Sequence, residues 1–205
     1  MSSADKNLSV FGTQNLPNVS QKKFALIVAE WNEEVTEALY EGAYQTLLTY
    51  GVAPENILRL NVPGSFELSF GAQLAAQRPD IDAVIAIGCV IQGETKHNDY
   101  INHAVAQGLT NVSLKYNKPV IFGVLTPNTQ QQALDRAGGI HGNKGDEAVA
   151  AAGAAVTQAQ KEGQRLEHQA TSAMMPLTRV TRRCSLAARL KSWVTTTKAV
   201  PSSRL

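Results

Sequence analysis

Apolar residues in this chain fall into short unbroken runs separated by stretches with helical spacing. Residues 24–29, F-A-L-I-V-A, and 83–91, A-V-I-A-I-G-C-V-I, are continuous hydrophobic runs. Runs of this kind mark strands buried on both faces of a parallel sheet. Residues 56–62 and 119–126 predict two further strands. Between these runs the period changes. Val35, Leu39, Ala43, Leu47 and Tyr50 share one helical face, and so do Ile101, Val105, Leu109, Val112 and Tyr116 in a helix predicted from about Tyr100 to Tyr116. Shorter helices are predicted over 67–77 and 130–137. Asn32 is placed to cap the first helix, Glu33 and Glu34 suit its positive end, and Gly51 closes it. Four strands alternating with helices specify an α/β fold, a three-layer α/β/α sandwich around a four-stranded parallel sheet of the flavodoxin-like kind.

In such sheets ligands sit beyond the carboxyl ends of the strands, so the residues just past each run carry the chemistry. The first run ends at Trp31 and Asn32. Trp31, a large aromatic at a strand end one residue before a helix cap, is expected to stay partly exposed, as a rim residue of the core or as part of the site. The second runs into P-G-S-F-E-L, placing Ser65, Phe66 and Glu67 at a helix start. Glu67 serves either the helix dipole or a hydroxyl-bearing ligand. The third, carrying Cys89, Val90 and Ile91, leads into Gly93, Glu94, Thr95 and His97. Here glycine permits close backbone approach, Thr95 offers a hydroxyl and amides to an anion, and His97 exchanges protons near neutral pH. Further on, R-A-G-G-I-H-G-N-K-G (136–145) bends sharply. It is a linker if only its glycines count. Arg136 and Lys144, cations flanking the bend, point instead to a phosphate site.

Composition changes the picture mainly at the termini. Apolar content of 43% with 18% charged residues fits a globular domain. No stretch approaches a membrane span and the start lacks a secretory pattern, so a cytoplasmic location and no membrane association are expected. Cys89 and Cys184 have no metal or disulfide spacing, and Cys89 reads as a small core residue. His103 falls on a different helical face from His97, which argues against a metal pair; no metal is expected. Residues 1–163 hold 11 Lys/Arg against 16 Asp/Glu, whereas 164–205 hold 8 against 1. Three segments are therefore expected. Residues 1–21 form an N-terminal arm lying free or on a neighbour, and 22–160 form the globular domain. Residues 161–205 form a basic tail, read as disordered or non-native. A competing reading of the tail takes Val180, Cys184, Ala187, Leu190 and Val194 as one face of a basic amphipathic segment, the only route to nucleic acid or another polyanion.

The segments I-V-A-E-W-N, P-G-S-F-E-L, G-C-V-I-Q-G-E-T-K-H-N-D-Y-I, P-V-I-F-G-V-L-T and R-A-G-G-I-H-G-N-K-G, spread over about residues 22–150, resemble those of one family in order and spacing. That family is 6,7-dimethyl-8-ribityllumazine synthase, which carries out the penultimate step of riboflavin synthesis. The resemblance implies condensation of two small molecules, 5-amino-6-ribitylaminouracil and 3,4-dihydroxy-2-butanone 4-phosphate, with no cofactor. It implies that Trp31 stacks on the pyrimidine, that Asn32, Ser65, Phe66 and Glu67 line the substrate pocket, and that Glu67 holds ribityl hydroxyls. Cys89, Val90 and Ile91 would meet the heterocycle. Gly93, Glu94, Thr95 and Arg136 would bind phosphate, and His97 would transfer protons. Phe122, Arg136 and Lys144 would come from an adjacent subunit, so a homo-oligomer is implied, a pentamer or multiples of pentamers up to a closed icosahedral shell, with association with riboflavin synthase a further expectation. Ile140 and His141 depart from the family's usual residues in the bend, and the segment after Asp146 departs more. Two other functions compete: a flavin- or lumazine-binding shell with weak catalysis, and a scaffold whose basic tail recruits polyanions.

Overall fold

The computed structural model describes residues 18–196, with side chains as far as residue 170. Strands β1 (Phe24–Ala29), β2 (Ile57–Val62), β3 (Ala83–Cys89) and β4 (Val120–Leu125) alternate with helices α1 (Glu33–Thr49), α2 (Leu68–Ala76) and α3 (His97–Tyr116). After β4 come α4 (Gln130–Leu134), a hairpin of β5 (Ala137–Gly139) and β6 (Gly142–Asn143), and α5 (Lys144–Thr196). The four long strands are all parallel, in the order β2-β1-β3-β4. This is the α/β/α arrangement that the alternating pattern predicts.

Burial explains why β1 and β3 read as continuous hydrophobic runs. Every residue of both is buried, whereas β2 and β4 at the two edges are only half covered. Phe24, Leu26, Val28, Ile85 and Ile87 pack on one face against Val35, Leu39, Ala43 and Leu47 of α1 and Val149, Ala152 and Val156 of α5. Ala25, Ile27, Val84 and Ala86 face the other way, onto Leu68, Ala72 and Ala75 of α2 and Val105 and Leu109 of α3. The strands present smaller residues on the second face, and α2 packs tightly there through Gly71. A Cβ at Gly71 would lie 2.7 Å from Ile27 Cγ2. Truncating one of the large aliphatic side chains here to alanine costs about 2–5 kcal/mol.

Local chemistry sets the element ends. Gly51, at φ +80°, closes α1 in a Schellman arrangement: its N–H donates to the Leu48 carbonyl and that of Val52 to the Leu47 carbonyl. Asn32 does stand at the amino end of α1, but its side chain does not cap the helix; it is spent elsewhere, and the left-handed backbone at φ 60° is what turns the chain. Thr36, a polar residue fully buried in α1, shares its hydroxyl with the carbonyls of Asn32 and Glu33. Helix α3 begins at His97 rather than near Tyr100, because the polar first turn carries no apolar signal. Helix α4 stops at Leu134 and the glycine-rich bend is a two-stranded antiparallel hairpin, which its composition alone did not reveal.

The chain divides into two units, Met1–Gln158 and Ala159–Leu205. Helical backbone is assigned across 161–196, the segment expected to be disordered or non-native. Arg165 Nε pairs with Glu162 at 2.8 Å there. Most of the N-terminal arm and the side-chain pattern from Val180 to Val194, Cys184 included, lie outside the described residues. No helix among the described residues is long and apolar enough to cross a membrane.

Candidate active site

Strand order reverses between β1 and β3, and the crevice this opens at their carboxyl ends holds a cavity of about 560 Å3. Its wall is built by three strand ends. At the end of β1, the Trp31 N–H donates to the Pro63 carbonyl at 3.1 Å, tying the chain to the end of β2. One residue on, Asn32 Nδ2 donates to the Cys89 carbonyl at 2.9 Å, tying it to the end of β3. With its backbone pinned from both sides, Trp31 keeps its ring at the mouth, 73% exposed. Trp31 thus stands at the rim of the core and open to the cavity. Phe66 is also exposed, on the 3-10 turn Ser65–Glu67.

Ser65 is buried against Gly88, where a Cβ would lie 2.7 Å from Ser65 Oγ, and that hydroxyl has no hydrogen-bond partner among the described residues. Glu67 stands at the amino end of α2, makes no side-chain cap hydrogen bond there, and lines the cavity. Cys89 is almost wholly buried, and burial pushes its thiol up to about 11. It is therefore a wall of the pocket and not a nucleophile at neutral pH.

Past β3 the backbone goes on pairing with the segment after β4. Val90 N–H donates to the Leu125 carbonyl at 2.8 Å and Gln92 N–H to the Pro127 carbonyl at 3.0 Å. This carries Gly93, Thr95 and His97 to the cavity's far wall. Among the described residues nothing lies within 4 Å of where a Gly93 Cβ would stand, so the space beside it is open. His97 is the first residue of the 20-residue helix α3, where the helix dipole favours an anion. His103 Nδ1 lies 2.6 Å from the Asp99 carbonyl, turned back onto its own helix.

A second cavity, of about 450 Å3, lies along β4 and contains Phe122, Arg136 and Lys144 together with Gln132 and Glu147. The hairpin makes this grouping. Ala137 pairs with Asn143, and the Lys144 N–H donates to the Arg136 carbonyl at 2.9 Å, so cations eight positions apart in sequence stand side by side. Arg136 Nη1 donates to the Gln132 carbonyl at 3.3 Å, and Lys144 Nζ pairs with Glu147 at 2.6 Å.

The two cavities share no lining residue. Trp31, Asn32, Ser65, Phe66, Glu67, Cys89, Val90, Ile91, Gly93, Thr95 and His97 are brought together; Phe122, Arg136 and Lys144 are grouped elsewhere, and Glu94 lines neither cavity. The candidate residues read from the sequence leave out Pro63, Gly64, Asn98 and Ile101, which line the first cavity. Ile101 was hidden because its spacing fits the helix's inner face, and Asn98 could have been found from its place beside His97.

A family model described as 6,7-dimethyl-8-ribityllumazine synthase matches residues 21–160. The chain belongs to the 6,7-dimethyl-8-ribityllumazine synthase family. Curated relatives bearing the lumazine synthase name cover the same part of it. One from Cytophaga hutchinsonii is 62% identical over 149 residues, 73% of this chain and 93% of its own length. One from Parabacteroides distasonis is 51% identical over 152 residues, 74% of this chain and 95% of the relative. A third, from Flavobacterium johnsoniae, is 49% identical over 152 residues, 74% of this chain and 80% of the relative.

Proposed function

We propose that this chain condenses 5-amino-6-ribitylaminouracil with 3,4-dihydroxy-2-butanone 4-phosphate to 6,7-dimethyl-8-ribityllumazine, orthophosphate and water, in a site assembled from the first cavity of one copy and the second cavity of the next. Family membership supports the reaction. The observation that carries the assembly is the separation on one chain of two incomplete sites, an aromatic cavity with a histidine and a cation pair beside an exposed phenylalanine.

In this reading Trp31 stacks on the pyrimidine while Asn32, Ser65 and Phe66 shape the pocket, and Glu67 accepts hydrogen bonds from ribityl hydroxyls. Cys89, Val90 and Ile91 form the wall beside the heterocycle. The pyrimidine amine adds to the ketone carbonyl and loses water to form a Schiff base. Elimination then breaks the carbon–oxygen bond to phosphate, and the second nitrogen closes the ring with loss of water. His97 moves protons in these steps, a role typically worth about 10²–10⁴-fold. Gly93, Thr95 and the first turn of α3 bind the phosphate from one side, and Arg136 and Lys144 of the neighbouring copy neutralise it from the other. Glu94 contributes through its backbone, since a carboxylate repels a dianion. Holding two substrates in reacting geometry supplies much of the remaining acceleration.

Copies that present one half-site on each flank associate head to tail, and such an interface closes into a ring where the rotation between copies allows it. From the family resemblance the proposal takes a pentamer or multiples of pentamers, up to an icosahedral shell, together with a cytoplasmic location and association with riboflavin synthase. In the same proposal residues 1–21 are an arm, 22–160 the catalytic domain and 161–205 a tail without a catalytic part.

The test is subunit complementation. His97→Ala and Arg136→Ala proteins are each assayed for lumazine formation by absorbance, then co-refolded and assayed as mixed oligomers. Each alone is expected to be slow, and the mixture to recover activity because some interfaces carry neither substitution. Mixed oligomers no faster than the parents would refute a shared site.

A further inference from the structure

We infer that Asn143 is a positioning residue that sets the cation pair, acting through a notch in α1 that only Gly42 leaves open. The inference rests on the proposed phosphate role of Arg136 and Lys144. Asn143 ends β6 and immediately precedes Lys144, the first residue of α5. Its side-chain amide is used at both ends. Oδ1 accepts from the Gly145 N–H at 2.8 Å, as an N-cap does. Nδ2 donates to the Ala38 carbonyl at 2.8 Å, in the interior of α1.

A cap alone needs only the first bond; the second ties the start of α5 to a separate helix. The space for it comes from glycine. A Cβ at Gly42 would lie 2.4 Å from Asn143 Nδ2 and 2.6 Å from Asp146 Oδ1. A Cβ at Gly145 would lie 2.0 Å from the Leu39 carbonyl oxygen. Helix α1 and the start of α5 therefore meet backbone to backbone, with the amide of Asn143 threaded between them. Lys144 sits between Asn143 and Gly145, and its own N–H reaches the Arg136 carbonyl. One amide thus fixes the backbone that carries Lys144 and, through the hairpin, Arg136. Asn143 does not itself line the cation cavity, so it acts through its neighbours.

Gly42 gives this inference an unusual consequence. Alanine in place of glycine inside a helix ordinarily strengthens the helix. Here Gly42→Ala pushes the Asn143 amide aside and loosens a cation pair carried by other elements.

The test measures steady-state kinetics of the full-length oligomer for both substrates, with inorganic phosphate as a competitive probe. Asn143→Ala, Asn143→Ser and Gly42→Ala are compared with Lys144→Ala as the reference. Asn143→Ala and Gly42→Ala are expected to raise the inhibition constant of phosphate and KM for the phosphorylated substrate on the order of tenfold or more, as small misplacements of a binding group do. KM for the pyrimidine, held by the other half-site, stays within about twofold. Serine keeps the cap but cannot reach Ala38, so Asn143→Ser repeats the defect. Full restoration of KM and phosphate inhibition by Asn143→Ser would reduce Asn143 to a helix cap and overturn the inference. So would a Gly42→Ala protein with wild-type phosphate inhibition. If Lys144→Ala leaves phosphate inhibition unchanged, the phosphate role of Lys144 falls and the inference falls with it. If Lys144→Ala weakens phosphate while Asn143→Ala and Gly42→Ala do not, only the inference is lost.

Discussion

Trp31 offers a sharp separation of function from stability. Its ring is 73% exposed, so only about a quarter of its surface is buried within the chain. For a side chain of roughly 250 Å2 that is about 60 Å2. At about 25 cal/mol per Å2 the burial contributes about 1.5 kcal/mol at most. Trp31→Ala should therefore lower Tm by no more than about 6 °C. Stacking of a base-like ring on an aromatic side chain is worth about 1–3 kcal/mol. That corresponds to a loss of roughly 5- to 150-fold in affinity. Trp31→Phe keeps a ring and most of the affinity. The assay is equilibrium titration with the lumazine product, followed by its own fluorescence, beside thermal melts of the same proteins. Affinity unchanged within about twofold in Trp31→Ala would refute the platform role. A fall in Tm beyond about 10 °C would refute the burial argument.

Other positions give equally direct outcomes. Gly145→Ala is expected to destabilise by more than about 2 kcal/mol, read by denaturant unfolding, because its Cβ would lie 2.0 Å from the Leu39 carbonyl oxygen and backbone would have to move. At Asn32, glycine keeps the left-handed backbone and loses only the bond to the Cys89 carbonyl. Alanine loses the bond and also strains the backbone, so Asn32→Ala should be less stable than Asn32→Gly by about 1 kcal/mol or more in the same measurement. Burial raises the Cys89 thiol from about 9 to about 11, so the native protein holds a proton that the unfolded chain releases first. Stability from this group is full below about pH 9 and is lost as pH rises toward about 11. Unfolding of Cys89→Ala should accordingly show a shallower decline across that window, and in a Cys184→Ala background the folded protein should resist iodoacetamide at pH 8.

Local pattern was enough to predict the four parallel strands, because strands buried on both faces must be continuously apolar, as 24–29 and 83–89 are. It also located the first cavity, since residues just past parallel strand ends necessarily gather at one edge of the sheet. Trp31, Ser65 to Glu67 and the Gly93 to His97 loop were legible for that reason. Where the Trp31 ring stands was decided only in three dimensions. The left-handed Asn32 and its bond to Cys89, which decide where the ring stands, depend on β1 lying beside β3, and strand order is not a local property. The bend after α4 was legible as glycine-rich but not as a hairpin, because its pairing is short and its residues carry no alternating pattern. Only the tertiary structure set Arg136 beside Lys144 and away from the first cavity, and only close packing of α1 on α5 explains why residues 42 and 145 must be glycine. Hydrophobic periodicity records which face of an element is covered; it holds no information on which two backbones come within van der Waals contact, and that is what built the second cavity.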